Sequence, residues 1–450
     1  MKPILLALCL AALPSTIGAA DPPFEKPPVL AASDFLDAAT LKGPHHAVEP
    51  KVVSDGVFNT YTVASDYGTF KVEGTSLVLL RVHEIGAIAQ LKEVDKIAVA
   101  AGGIAAGVVD VGKGVVNIIT NPVGTVKGVG GGVVRLFGRI GRGAKRTSEK
   151  MGEESKATSP PQNLVDRPDV TPVPGTSDAG KVAQASGDLA KDLIGVNSAM
   201  RSWAQKLRVD PYTRNEVLRK ELREVAQYDA GGRFSTKLVP GAVAFALGAA
   251  ATADELIWMK EPDVLVSLNE AKLKAMGAAP EDSRAFRLNG QYNLTRQVRL
   301  VTALDALSGV YGRPDFVARA AGAQVDADAQ FYTESALLAE TFNRTQAPVT
   351  GIVANLPGAC VLAQGDRFAC LFPLDYIAWT EGMAGHFDRI TKRVEADFPK
   401  ARRELWLTGS LSPRTATELK KRGWKLHEKS LSLVSEVPPE PTPVPKPEKS

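Results

Sequence analysis

Asp375, Glu381 and His386 fall in one short stretch of the chain, beside Tyr376 and Trp379. Carboxylates near an imidazole can do general acid–base work, because imidazole titrates close to neutral pH and a carboxylate can orient it. The spacing also admits a plainer role. Glu381 and His386 are five positions apart, which does not stack them on one helix face. Asp375 stands where a helix is expected to begin, and a carboxylate there caps the free N–H groups of the first turn. Two readings follow: a hydrolase acting on envelope material, or helix capping with surface pairing, which the spacing favours.

Cys360 and Cys370 are the second chemical pair, since Cys9 lies in an apolar run at the N-terminus. No Cys-x-x-Cys is present, so a redox dithiol is not expected and a structural disulfide is. The two can face each other across a hairpin only if the turn centres on Gly365, through a three-residue loop or a bulge. A two-residue Gly365-Asp366 turn would instead set Val361 opposite Cys370. Two unpaired thiols are the alternative.

The remaining motifs exclude more than they suggest. His83-Glu84 opens like a zinc-protease motif, but Ala87 stands where the second histidine is required. His45-His46 would point to opposite sides of a strand and cannot readily share one metal. No nucleophile elbow, Walker loop or dinucleotide fingerprint occurs, so no metal and no cofactor are expected. The Thr408–Ser412 loop, with Arg414 beside it, enters a helix N-terminus and could hold an anion on free N–H groups, although an ordinary loop with a serine cap is the favoured reading.

The least ordinary segment is 104–146. Ile104, Val108, Val111, Val115 and Ile118 form one helical stripe, and Asn121-Pro122 reads as a cap followed by the first residue of a second helix. That helix carries Gly124, Gly128 and Gly132 at intervals of four. Further on, Arg135, Arg139, Arg142 and Arg146 share one side, with Leu136, Phe137 and Ile140 on the other. A basic stripe opposite an apolar face suits an anionic lipid surface, and glycines at such intervals suit close helix packing. Packing on the protein's own helices and contact with a partner are the other readings. The leading expectation is a non-enzymatic exported envelope protein that meets a membrane surface or an envelope protein through 104–146, with Arg135, Leu136, Phe137, Arg139, Ile140, Arg142 and Arg146 as contact residues. The alternatives are the hydrolase above and a membrane-perturbing effector that also uses Val239–Ala253, an apolar run too short to span a bilayer.

Export is read from residues 1–20, where Lys2 precedes an apolar run from Ile4 to Leu13 and small residues end at Ala20. This predicts a periplasmic protein, peripheral to a membrane if 104–146 contacts one. A formal net charge of +4 is too even for nucleic-acid binding by the chain as a whole.

These residues must be positioned by an α+β chain, predominantly helical. The sequence predicts a tether at 21–43, then a β-meander and the glycine-rich helical pair within 44–146. Three strands are expected up to Val72, turning at Asp55-Gly56 and Asp66-Tyr67-Gly68, followed by a helix capped by Thr75 or Ser76. Prolines between 147 and 186 mark a disordered linker. A helical domain follows at 187–346 and a small α/β unit with the hairpin disulfide at 347–430, in which residues 375–397 read as helix. Ser412-Pro413 should start a crossover helix that Gly423 ends, joining two parallel strands. A Pro-rich tail closes the chain at 431–450.

Overall fold

Apolar residues alternating with exposed ones bury one face of a strand, and the segments around Val52, Tyr61, Val63 and Val72 do so. A computed structural model describes residues 23–94, 136, 195–231 and 253–430. Its N-terminal sheet comprises β1 (Val29–Ala31), β2 (Lys42–Gly43), β3 (His46–Val48), β4 (Lys51–Ser54), β5 (Asn59–Ser65) and β6 (Gly68–Glu73), all antiparallel. β3 and β4 follow one another along one edge of β5, and β6 lines the other. The predicted meander is therefore the middle of a larger sheet. β1 pairs with β4 and β2 with β3, with α1 (Ala38–Leu41) between them in sequence, so residues 29–43 are structured rather than a tether. Their shortness concealed them, because two- and three-residue outer strands are specified by the edges they join.

The apolar face of this sheet packs against Leu77, Val78 and Ile85 of α2 (Thr75–Glu93). Farther along, Ala87, Ile88 and Leu91 of α2 form a second cluster with α3 (195–207) and α4 (Glu216–Gly231). The chain continues through α5 (Ala253–Met259), α6 (Pro262–Ala275), α7 (Pro280–Leu288), α8 (Leu294–Ala306), α9 (Arg313–Ala320) and α10 (Asp326–Thr345). α8 and α10 contribute to the largest core together with the C-terminal sheet.

That sheet runs in the order Trp424–Glu428, Arg402–Leu407, Arg367–Phe372, Ala359–Ala363, Val349–Ile352. β7 (Val349–Ile352), β8 (Ala359–Ala363) and β9 (Arg367–Phe372) are antiparallel, whereas β9, β11 (Arg402–Leu407) and β13 (Trp424–Glu428) are parallel. The parallel strands are joined through α11 (Glu381–Asp397) and α12 (Pro413–Lys421), the latter capped by Ser412 and followed by Gly423 at φ +74°, as the sequence predicts. A short parallel pair, β10 (Tyr376–Ile377) with β12 (Ser410–Leu411), lies beside the main sheet. Helices cover both sheet faces: Phe342 of α10 meets Trp406 on one, and Phe387 of α11 meets Trp424 on the other. The whole is α+β and mostly helical.

Candidate functional site

The residues singled out for chemistry are held by different parts of this frame. Asp375 is not at a helix start. α11 begins only at Glu381, behind a Thr380 cap whose side chain accepts the Met383 N–H, and Asp375 precedes β10. Its carboxylate turns toward the N-terminal sheet: Oδ2 accepts the Asn59 N–H at 2.8 Å and Oδ1 the Thr75 N–H at 2.8 Å. Thr75 opens α2, so Asp375 caps a helix 300 positions away, and neither Thr75 nor Ser76 fills the cap position, which belongs to Gly74. The backbone adds to the join, with Asp375 N–H donating to Val57 and Ala378 N–H to Gly56. A Cβ on Gly409 would stand 1.9 Å from the Asp375 carbonyl oxygen, so only glycine permits this approach. Burial pushes the Asp375 carboxyl up to about 6, against the pull of the Asn59 and Thr75 groups, and Asp55 adds to the rise.

Glu381 is exposed in the first turn of α11. His386 is fully buried and meets Phe387 edge-on at 6.0 Å. Burial pushes its pKa down to about 3, with Arg389 contributing, so the imidazole is neutral across the physiological range. The geometry thus gives the three residues separate surroundings: a staple to the N-terminal sheet and α2, a solvent-facing helix start and a core packing group. A surface groove along α4, lined by Glu216, Arg219, Lys220, Arg223, Glu224 and Gln227, includes none of them.

The Thr408–Ser412 loop does meet an anion, and it belongs to the chain itself. Glu25 Oε2 accepts the Ser412 hydroxyl and the Trp379 N–H, each at 2.5 Å, while its own N–H donates to the Trp379 carbonyl. Glu25 therefore meets the cap residue of α12, while the backbone N–H groups of the Thr408–Ser412 loop are already taken, Leu411 N–H by the Glu428 carboxylate and the others by carbonyls. Ser412 also caps α12 by accepting the Thr415 N–H. The zinc-like His83-Glu84 pair is structural too. Glu84 is buried and takes hydrogen bonds from Arg81, Thr213 and Asn215.

A polar cluster that sequence patterns did not single out spans three parallel strands. Arg367 of β9 grips Glu404 of β11 through Nε and Nη2, at 2.9 and 2.6 Å, and Trp406 Nε1 donates to the same carboxylate at 2.9 Å. His427 of β13 stacks on Trp406 with ring centres 3.9 Å apart. Burial opposes ionisation of Glu404, yet Arg367 and the indole N–H hold its carboxyl below the ordinary range.

Cys360 and Cys370 occupy opposed positions on β8 and β9, across a three-residue loop, Gln364-Gly365-Asp366, with Gly365 at φ +79° and Asp366 at +52°. Of the two turns the sequence allows, this is the one centred on Gly365, which opposes the two cysteines. Both cysteines are fully buried thiols with sulfur atoms 2.9 Å apart.

Of the predicted membrane or partner contacts, Arg135, Phe137, Arg139, Ile140, Arg142 and Arg146 lie outside the described residues, as do the signal peptide, the 147–186 linker and the Pro-rich tail. Leu136 is described, and it is 4% exposed within the largest core cluster, so it faces the protein's own interior. Among the described residues no group of three or more His, Cys, Asp or Glu could hold a metal ion, and no helix is long and apolar enough to cross a membrane. Compared with protein-family models, curated proteins and solved structures, the chain matches none.

Proposed function

We propose that this is a non-enzymatic exported envelope protein that engages an anionic membrane surface through the arginines of segment 104–146. The observation that supports the reading is the burial of Leu136 in the principal core. Helical periodicity groups Leu136 with the apolar residues and sets Arg135, Arg139, Arg142 and Arg146 on the opposite side. With Leu136 buried, the proposed contact is electrostatic and does not depend on inserting Leu136. The flanks of the segment fit this role. Val94, directly after α2, and Val196 of α3 pack against the same hydrophobic cluster.

Co-sedimentation with phosphatidylglycerol-containing and neutral vesicles tests the proposal. Each basic residue near an anionic surface contributes about 1 kcal/mol, so changing all four arginines to Ala should weaken binding on the order of a thousandfold at low salt. Wild-type binding should also fall steeply between low and physiological salt. Absence of wild-type binding to anionic vesicles at low salt refutes the membrane reading and turns attention to an envelope protein partner. Dye release from the same vesicles would point instead to the membrane-perturbing role, with Val239–Ala253 as the second element.

A further inference from the structure

We propose that Cys360 and Cys370 are a modification site, joined in the functional protein by a cross-strand disulfide between β8 and β9. The inference is independent of segment 104–146. Its first support is register, since the two Cα positions are directly opposed. The second is the direction of the backbone groups. The Cys360 carbonyl accepts the Val353 N–H at 2.8 Å, so its hydrogen-bonding side faces away from β9, toward the β7 end. Cys360 and Cys370 are consequently a non-hydrogen-bonded pair, the kind in which opposed Cα atoms stand only about 4.5 Å apart and side chains are closest. That separation lies within the range a disulfide spans, whereas Cα atoms beyond about 7 Å cannot be bridged without moving backbone. The third support is side-chain direction, because the two sulfur atoms already face each other at 2.9 Å.

The reaction is thiol–disulfide exchange with a small-molecule or protein disulfide as oxidant. One cysteine, as thiolate, attacks the oxidant and forms a mixed disulfide, releasing one oxidant thiol. The second cysteine gives up its proton and attacks the first sulfur, releasing the other oxidant thiol. Two cysteine thiols are oxidised to one S–S bond and one oxidant disulfide is reduced to two thiols. Both sulfurs are buried, and burial pushes the Cys370 thiol well up, so the bond is made while the strands pair rather than after the core closes.

The experiment unfolds and reduces the full chain, refolds it in a reduced and oxidised glutathione buffer, quenches in acid, alkylates under denaturing conditions and maps tryptic peptides. Trypsin cuts after Arg344, Arg367 and Arg389, which separates the two cysteines onto neighbouring peptides. The expected result is peptide 345–367 linked to peptide 368–389, with neither cysteine alkylated. Alkylation of both cysteines, or pairing of either with Cys9 or with a second chain, overturns the proposal. Reductant should lower the thermal midpoint of the oxidised chain by roughly 5 °C and leave a Cys360→Ala, Cys370→Ala double variant unmoved. A midpoint that reductant does not shift overturns the staple role.

Discussion

Replacing Asp375 with Asn sets desolvation against hydrogen bonding at the carboxylate that ties the N-terminal sheet and α2 to the C-terminal unit. Burial raises this group from 3.8 to about 6 even though two backbone N–H groups favour its charged form. Between about pH 4 and pH 6 the native state therefore keeps a proton that the unfolded chain has released, and stability falls as pH rises. A difference of roughly two pKa units corresponds to about 3 kcal/mol, present below pH ~4 and lost above pH ~6. Asn cannot ionise and lacks this slope. Its single oxygen accepts one of the two N–H groups and its amide turns a donor toward the other, so one buried donor loses its partner at about 1–3 kcal/mol.

Asp375→Asn should thus be less stable than wild type near pH 4, and the difference should move in the variant's favour by about 3 kcal/mol by pH 7, enough to cancel or reverse it. His386 titrates over an overlapping range with the opposite sign. Its pKa is lowered from 6.5 to about 3, so its contribution is complete above the unfolded value and fades as pH falls. The histidine is present in both proteins and cancels in their difference. Urea unfolding followed by tryptophan fluorescence from pH 4 to pH 7 reads the difference directly. A difference that stays constant, or moves against the variant toward pH 7, would mean that the Asn59 and Thr75 hydrogen bonds outweigh desolvation, and the reasoning fails.

His386→Leu should remove the acid sensitivity of the imidazole, so that below pH ~6.5 wild type loses about 1.4 kcal/mol per pH unit relative to the variant. Urea midpoints at pH 4.5 and 7 check this, and equal shifts in the two proteins would show that the ring is not held neutral. Glu25→Gln weakens two hydrogen bonds, one from the α12 cap Ser412 and one from the Trp379 N–H, and should cost about 1–3 kcal/mol, read by thermal unfolding. Lys26→Gln, at an exposed neighbour, should stay within about 0.5 kcal/mol of wild type; equal losses in the two variants would remove the anchoring role of Glu25.

Much of the frame was legible because its signals are local. The Ser412-Pro413 start and Gly423 end of α12, the loop centred on Gly365 and the turns after Ser54 and Ser65 all rest on φ preferences and hydrogen bonds within a few residues. Two expectations failed for one common reason. Local sequence suggests a tether at 21–43 and, at Asp375, a helix cap on its own segment. In each case the partner lies elsewhere in the chain, at the edges of β3 and β4 for the strands and at Asn59 and Thr75 for the carboxylate. The Arg367–Glu404–Trp406–His427 cluster escaped for the same reason, because its members come together only when β9, β11 and β13 align.

Local sequence carries the α+β class and the capped crossover, since periodicity and near-neighbour backbone bonding set these, and it ties an opposed Cys360–Cys370 pair to a loop centred on Gly365. Tertiary structure alone decided what the polar residues do. A buried N–H takes whichever acceptor packing brings to it. Asp375 thereby became the acceptor for Asn59 and Thr75, and Glu25 the acceptor for Ser412 and Trp379. Neither pairing leaves a mark in local sequence, because the groups that meet are hundreds of positions apart.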